Sequence, residues 1–131
     1  MIFDTSVWVD YSHNKKTKQT DLLYQRIIND QEIYICPPIY QEFLQGIRND
    51  GEHKKLSDLL LSLNFLILDP YFVAYEAANL YRTIRKLGTT IRKPNDCLIA
   101  FYAIHFKLAL VHNDKDFDKI AKHTSLKIYS T

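Results

Sequence analysis

Cysteine is scarce in this chain, and long apolar runs are absent. Cys36 and Cys97 are the only two cysteines, they lie far apart, and apolar residues surround each of them. This pattern is typical of core thiols and favours neither a disulfide framework nor a zinc site. No apolar stretch approaches the roughly 20 residues that cross a bilayer. The composition therefore predicts a protein without a membrane span or disulfide cross-links.

The sequence also lacks internal repeats, low-complexity tracts and linkers. Its 131 residues suit one domain, which would bury roughly two-thirds of the surface of the unfolded chain. No basic segment or cleavage site precedes the first apolar run, which begins at Ile2. We therefore expect a single domain over residues 1–131 that works in the cytoplasm.

Short apolar runs alternate with segments of helical periodicity. Strands are predicted at residues 1–4, 33–36, 65–68 and 108–111, with an edge strand at 127–129. Helices are predicted after Asp4, over about 20–30, from Pro37, over 56–63, over 70–86, from Pro94 and after Asp114. Asn49-Asp50-Gly51 predicts a turn, and Gly88 predicts a left-handed helix end. This order implies an α/β fold, a three-layer α/β/α sandwich around a mostly parallel sheet of four to five strands.

Five acidic residues stand at the carboxyl ends of predicted strands or early in the helices that follow. They are Asp4, Glu42, Asp96, Asp114 and Asp116. Open α/β sheets form their ligand crevice at this edge. Clustered carboxylates raise one another's pKa and cannot all stay ionised without cations. Oxygen-only ligation suits Mg²⁺ or Mn²⁺, so the pattern indicates a divalent metal site.

Each acid also has an ordinary structural explanation. Asp4 and Asp96 could cap the helices that follow them, and Asp114 could form an Asx turn. Glu42 discriminates better, because it lies one turn into an apolar helix where no cap is required. The joint occurrence of all four favours a shared site. Three acids outside these segments are interpreted as surface residues: Asp10, Asp58 and Asp118.

The distribution of basic residues is consistent with an anionic substrate. The net charge of the chain is +2. Without the five clustered acids, the rest of the chain has a net charge of +7. An acidic pocket with a basic surround is expected for a phosphodiester substrate. The alternative, that these residues are solvated helix faces, stays open for each of them. The residues concerned are Lys15, Lys16, Lys18, Arg48, Arg82, Arg85, Lys86, Arg92 and Lys93.

Four segments resemble the motifs of one protein family, and they occur in that family's order. They are DTSVW from Asp4, QEFLQGIR from Gln41, NDCLIA from Asn95 and HNDKDFDKIA from His112. Together they resemble a PIN domain, and specifically the VapC ribonuclease toxins of bacterial toxin–antitoxin pairs. The resemblance covers essentially the whole chain. One such motif is weak evidence, whereas four in the right order are specific.

The resemblance implies roles for individual residues. Four of them match the acids that catalyse and bind metal in the family: Asp4, Glu42, Asp96 and Asp114. Asp116 is similar to a second metal-binding carboxylate of the last motif, and the sequence leaves open whether Asp114 or Asp116 lies nearer the metal. Thr5 or Ser6 matches a hydroxyl residue that hydrogen-bonds the acids and fixes their rotamers, and Asn113 is given a similar role.

The resemblance further implies an endoribonuclease that depends on Mg²⁺ or Mn²⁺ and inhibits translation by cutting tRNA or rRNA. In such enzymes the metal lowers the pKa of an attacking water and stabilises the charge that develops at phosphorus. The cut leaves 5′-phosphate and 3′-hydroxyl ends. Histidines are then not needed as acid and base. His112 is interpreted as structural for this reason.

The partners that the resemblance implies are a second copy of the chain and a cognate antitoxin of the VapB type. The homodimer would be built largely from helices late in the chain. The antitoxin's C-terminal segment would fill a groove near the first helices and push a basic side chain toward the acids, and operator DNA would be bound only through the antitoxin. Candidate groove residues, each of which could equally belong to the core, are Trp8, Tyr11, Leu22, Ile27 and Ile28.

Two other classes of protein stay open at this stage. A PIN-like module could bind RNA or a partner without cutting, although such a module would normally have lost an acid. Receiver domains and aspartyl phosphatases also carry acids at strand ends. A receiver domain needs an acidic doublet after its first strand and a lysine after its last, and a phosphatase needs Asp-x-Asp where this chain has Asp4-Thr5-Ser6.

Overall fold

The sheet of this protein is entirely parallel. The computed structural model describes residues 1–130. Within them, four strands pair in the order β3-β2-β1-β4. They are Ile2–Phe3 (β1), Tyr34–Ile35 (β2), Asn64–Phe65 (β3) and Leu110–Val111 (β4). Because β1 lies between β2 and β4, the chain that leaves its carboxyl end adjoins the ends of both neighbours.

Seven helices flank these strands in the described part of the chain, which confirms the expected α/β sandwich. They are Thr5–Ser12 (α1), Lys18–Ile28 (α2), Pro37–Gln45 (α3), Asp50–Leu61 (α4), Pro70–Lys86 (α5), Pro94–His105 (α6) and Lys115–His123 (α7). At least one helix separates each pair of neighbouring strands, as parallel pairing requires. None of these helices is long and apolar enough to cross a membrane.

The core is built on the two inner strands. The side chains of Ile2, Phe3, Leu110 and Val111 are completely buried, which is typical of parallel strands between two helical layers. Both cysteines are buried and unpaired, as expected. Burial raises the pKa of the Cys36 thiol to about 12 and that of Cys97 to about 11. Neither thiol is therefore a reactive group at neutral pH.

Three local predictions need correction. The predicted turn at residues 49–51 is wrong, because the side chain of Asn49 accepts from the Glu52 N–H at 2.9 Å and starts α4. The strand predicted at 65–68 is only β3, since the chain leaves the sheet and Ile67 is 79% exposed. The predicted edge strand at 127–129 is a single bridge between Ile128 and Leu110. The left-handed conformation of Gly88 is confirmed, with φ of +92°.

Candidate active site

A cavity of about 390 Å³ lies at the carboxyl ends of the inner strands. Asp4, Glu42 and Asp96 line it, together with Lys93 and others. The three acids come from the end of β1, from α3 after β2, and from α6. Parallel pairing therefore brings together side chains that lie as far apart in the sequence as Asp4 and Asp96.

Asp4 caps α1 and is held by one neighbouring residue. Its Oδ2 accepts from the Ser6 hydroxyl at 2.7 Å and from the Ser6 N–H at 3.0 Å. The Asp4 N–H donates to the carbonyl of Val111 at 2.9 Å, which ties it to the end of β4. Burial raises the pKa of Asp4, although the Ser6 hydrogen bonds oppose this. Asp4 thus serves as a helix cap and also faces the cavity, so the two explanations offered for it coexist.

Glu42 lies in the second turn of α3, next to the buried Phe43. One of its oxygens accepts from the Thr5 hydroxyl at 3.2 Å. Partial burial raises the pKa of Glu42, the Thr5 hydrogen bond opposes this, and the charge of Asp4 raises it further. One hydroxyl residue was predicted to orient the acids, either Thr5 or Ser6. Both do so, since Thr5 donates to Glu42 and Ser6 donates to Asp4.

Asp96 lies in the first turn of α6 and is almost completely buried, with 3% of its surface exposed. Its Oδ2 is buried and has no hydrogen-bond partner. Burial raises the pKa of Asp96 to about 7, Lys93 opposes this, and Asp4, Asp114 and Asp116 add to it. A buried carboxylate oxygen without a partner costs free energy unless a cation or a proton occupies its site.

Asp114 and Asp116 follow β4. Asp114 caps α7, and its Oδ1 accepts from the Asp116 N–H at 3.0 Å. Burial acts to raise the pKa of Asp114, but hydrogen bonds from Lys93 and the Asp116 backbone and the charge of Arg92 lower it overall. Asp116 is 1% exposed, and its Oδ2 accepts from the N–H and the guanidinium of Arg92, each at 3.3 Å.

These acids fit a divalent cation. One carboxylate oxygen from each of Asp96, Asp114 and Asp116 lies within 4.8 Å of the others. The donors are all oxygen, which suits hard cations such as Mg²⁺ and Mn²⁺. The partnerless Oδ2 of Asp96 is a ligand oxygen that a cation would satisfy. Asp116 belongs to this group as closely as Asp114 does, although its oxygens are already occupied by basic groups.

Three basic side chains contact the last two acids. The Lys93 ammonium lies 2.7 Å from Asp114 Oδ2, and the Lys119 ammonium lies 3.2 Å from Asp116 Oδ1. Arg92 reaches both acids, with 3.3 Å between Nε and Asp116 Oδ2 and 3.7 Å between Nη2 and Asp114 Oδ1. Sequence reasoning placed Arg92 and Lys93 only on the basic surround and overlooked Lys119, which lies one helical turn after Asp116.

Asp10 was interpreted as a surface residue, and this is wrong. It lines the cavity, and its Oδ2 accepts from the Asn113 side-chain amide at 2.9 Å. The Asn113 N–H donates to the Ser6 hydroxyl at 3.1 Å. Asn113 therefore acts on Asp4 through Ser6, and its own amide fixes Asp10. Residue types and spacing do not single out Asp10, because its partner Asn113 is distant in the sequence.

His112 is structural, in agreement with the interpretation from sequence. Its Nδ1 accepts from the Asp114 N–H at 3.0 Å, and its Nε2 lies 3.1 Å from Asp118 Oδ1. An acceptor at Nδ1 leaves the proton on Nε2, which donates to Asp118. The exposed Asp118 therefore orients the imidazole that holds the backbone of Asp114, which is a role beyond that of a surface acid.

Comparison with known proteins identifies the family. The PIN domain profile matches residues 1–123. The chain belongs to the PIN domain family. This PIN domain is 36% identical to ribonuclease VapC11 of Mycobacterium tuberculosis, over 99% of this chain and 98% of that protein. The resemblance drawn from the four motifs is therefore confirmed.

Solved structures share the architecture of this PIN domain. VapBC2 from Rickettsia felis, bound to a DNA fragment from its promoter, superposes with a TM-score of 0.75 and 20% identity over 98% of both chains. DNA-bound VapBC from Salmonella typhimurium gives a TM-score of 0.76 and 18% identity, over 98% of this chain and 95% of that one. At these identities the likeness establishes the fold and leaves residue roles to the geometry.

Proposed function

We propose that this protein is a metal-dependent endoribonuclease, the toxin of a toxin–antitoxin pair, and that it acts in the cytoplasm as a single domain. The observation that carries the proposal is the environment of Asp96. Its buried Oδ2 has no partner, and its carboxylate lies among those of Asp4, Asp114 and Asp116. The 36% identity to a named ribonuclease supports hydrolysis of RNA.

The catalytic residues of this proposal are Asp4, Glu42, Asp96 and Asp114, with Asp116 as an additional metal-binding acid. Bound Mg²⁺ or Mn²⁺ would supply a water of lowered pKa and neutralise the charge that develops at phosphorus. Ser6 and Thr5 hold the rotamers of Asp4 and Glu42 before the substrate arrives. This preorganisation matters because misplaced ligands weaken both metal affinity and rate.

RNA is the expected substrate because basic side chains surround this acidic cavity. Lys15 and Lys93 line the cavity itself, and the exposed side chain of Arg92 contacts Asp114 and Asp116. Such a rim attracts backbone phosphates, while the acids and their cation act at the bond that is cut. Structured RNA such as tRNA or rRNA is the substrate class we propose.

A groove of about 490 Å³ between α1, α2 and α4 is the proposed antitoxin site. Of the five candidate groove residues, Tyr11 and Ile27 line it, Leu22 and Ile28 do not, and Trp8 is completely buried in the core. Lys15 lines both this groove and the catalytic cavity. A peptide in the groove would therefore end close to the acids, where a basic side chain could compete with the metal.

A homodimer is also proposed. Large apolar side chains are exposed within one stretch of chain that runs from the end of α4 into α5: Leu61, Phe65, Ile67, Tyr71, Phe72 and Tyr75. A monomer rarely exposes so many together, and a second copy would bury them. Light scattering should give twice the mass of the chain, and Ile67→Lys should shift the mass toward that of one chain.

The test of the function uses purified protein and total bacterial RNA. Wild type, Asp4→Asn and Asp96→Asn are incubated with Mg²⁺, with Mn²⁺ and with EDTA, and Asp58→Asn serves as a matched control because Asp58 is exposed and pairs only with Lys54. We expect discrete fragments from wild type and Asp58→Asn in the presence of metal. Both site variants should lose cleavage by on the order of 10³-fold.

Three results would contradict the proposal. Equal cleavage by wild type and both site variants would point to a contaminating nuclease. Intact RNA under all conditions would favour a module that binds RNA or a partner without cutting. Fragments that end in 2′,3′-cyclic phosphate would exclude the metal-dependent route, because that route leaves 5′-phosphate ends.

A further inference from the structure

Lys93 occupies an unusual position among the basic residues near the acids. It is the N-cap residue of α6 and precedes Asp96 by three positions. Its ammonium lies 2.7 Å from Asp114 Oδ2, and it also lines the cavity together with Asp4 and Glu42. The Lys93 side chain therefore links the cavity wall, which includes Asp4 and Glu42, to Asp114.

Arg92 and Lys119 differ from Lys93 in what holds them. Both contact Asp116, whose carboxylate is 1% exposed and has a basic partner on each oxygen. Neither lines the cavity. These two side chains are tied to the buried Asp116, even though Arg92 is 71% and Lys119 45% exposed. Lys93, at 52%, pairs with Asp114 and makes no ion pair with Asp116 among the described residues. Lys93 can leave its carboxylate without breaking the core.

We propose that Lys93 is a resident counter-cation of the carboxylate cluster, which a divalent metal displaces from Asp114 and which then binds a phosphate of the RNA. Five acids and three basic side chains leave two uncompensated negative charges in the cluster. When Lys93 also leaves, three negative charges face the divalent cation, which neutralises two of them. A metal ion that takes Asp114 Oδ2 as a ligand must displace the Lys93 ammonium from that oxygen, because two cations repel strongly at that separation.

This inference deepens the proposed function and rests on it for its second half. A lysine released from Asp114 stands at the cavity mouth, where the substrate backbone enters, and an ammonium on a flexible stem suits a phosphate. Metal binding would then create the phosphate contact as well as the metal site. Lys93 would therefore weaken the binding of metal alone and strengthen the binding of RNA once the metal is bound.

The direct test is Mn²⁺ affinity measured by calorimetry on wild type, Lys93→Met, Lys93→Arg and Lys15→Met, in the absence of RNA. Lys93→Met removes the competitor and should bind Mn²⁺ about tenfold more tightly. Lys93→Arg keeps a cation and should stay close to wild type. Lys15→Met removes the same charge from the same cavity wall, but Lys15 faces Asp10, so its effect should stay under about threefold.

Thermal unfolding separates competition from a merely structural role. In EDTA, Lys93→Met should melt below wild type, because the acids lose a counter-ion, and Mn²⁺ should raise its melting temperature more than that of wild type. Unchanged or weaker Mn²⁺ affinity in Lys93→Met would overturn the inference, whatever the melting temperatures. Failure of wild type and variant alike to bind Mn²⁺ would overturn it as well.

RNA cleavage at saturating Mn²⁺ tests the phosphate contact. Lys93→Met should raise KM for total tRNA about fivefold and leave kcat within about twofold, since it removes one phosphate contact. An unchanged KM would overturn the proposed contact between Lys93 and an RNA phosphate. If wild type cuts no RNA while Lys93→Met still binds Mn²⁺ more tightly, the ribonuclease proposal fails and the counter-cation stands.

Discussion

The acids around the cavity form two halves that the protein holds in different ways. In the first half, Asp4 and Glu42 accept hydrogen bonds from the hydroxyls of Ser6 and Thr5. No ion pair reaches either acid from the described residues. Burial accordingly raises the pKa of both. This half is oriented by neutral groups, so no ion pair from the described residues competes there with a cation from solution.

In the second half, Asp114 and Asp116 have basic partners from the chain itself. Arg92 contacts both acids, and Lys93 holds the pKa of Asp114 below its usual range even though burial acts in the opposite direction. Asp96 belongs to both halves. The contrast teaches that neutralising an acid of the first half should raise the free energy of unfolding of the metal-free protein. Neutralising an acid of the second half should lower it.

The largest effect is expected from Asp116→Asn. It should lower the free energy of unfolding of the metal-free protein by about 2 kcal/mol, because it breaks a buried ionic group with two basic partners. Urea denaturation in EDTA measures this change. Asp58→Asn, which removes one exposed ion pair on α4, should change the same quantity by less than about 0.5 kcal/mol. If Asp116→Asn and Asp58→Asn change the free energy of unfolding equally, the ion pairs of Asp116 stabilise the protein no more than an exposed pair. The distinction between the two halves would then be lost.

The next effect is the pH dependence that Asp96 confers. Its pKa is about 7 in the folded metal-free protein, against about 3.9 when unfolded. The folded state therefore binds more protons than the unfolded state between these values, and stability falls as the pH rises from about 4 to about 7. Asp96→Asn imitates the protonated acid and should be about 1–2 kcal/mol more stable than wild type at pH 8 in EDTA.

The same pH series on wild type and Asp96→Asn decides this prediction. The fall in stability across that interval should be clearly smaller in the variant. A variant that is less stable than wild type at pH 8, or that keeps the full fall, would mean that the Asp96 carboxylate is satisfied without a cation. If the prediction holds, the gain in stability of Asp96→Asn should accompany its loss of cleavage.

A smaller effect is expected from Ser6→Ala in the first half. The substitution removes the 2.7 Å hydrogen bond to Asp4 and the acceptor for the Asn113 N–H. The free energy of unfolding should fall by about 1 kcal/mol, and the cleavage rate should fall about tenfold because Asp4 loses its orientation. Ser12→Ala is the matched control, since its hydroxyl bonds only to the carbonyl of Val9. A rate equal to that of Ser12→Ala would contradict the orienting role.

The smallest effect is expected from Thr5→Val, which keeps the shape and removes the hydroxyl that donates to Glu42. Glu42 is only partly buried, so water can replace the lost donor, and stability should change by about 0.5 kcal/mol. Thr5→Ser restores the donor and should behave as wild type in unfolding and cleavage. A loss in Thr5→Val as large as in Ser6→Ala would show that the two hydroxyls do not differ in importance.

Much of the fold was predictable from local pattern. The alternation of apolar runs with helical segments predicted all four strands of the sheet, and the Pro residues at 37, 70 and 94 correctly marked helix starts. The errors lie at ends and edges. Residues 65–68 are apolar enough for a longer strand, yet only Leu66 after β3 still bonds to β2, through its N–H to the Ile35 carbonyl at 2.9 Å. Apolar periodicity does not show where a strand loses its neighbour.

The site was predictable only in part, for a related reason. Asp4 and Asp96 stand in positions that chain order and helix starts reveal. Asp10, Arg92 and Lys119 have no signal of their own, because their roles depend on which side chains lie opposite them in space. Their placement beside Asn113 and Asp116 follows from the pairing of β1 with β4.

The sequence by itself determined the family, the parallel order of strands and helices, and the acids that reach the carboxyl edge of the sheet. These properties follow from residue types and from their spacings along the chain. The tertiary structure alone decided how each acid is held: Asp4 and Glu42 by hydroxyls, Asp114 and Asp116 by basic side chains. That division depends on burial and on distances of a few ångströms between distant residues, and these arise only when the chain has folded.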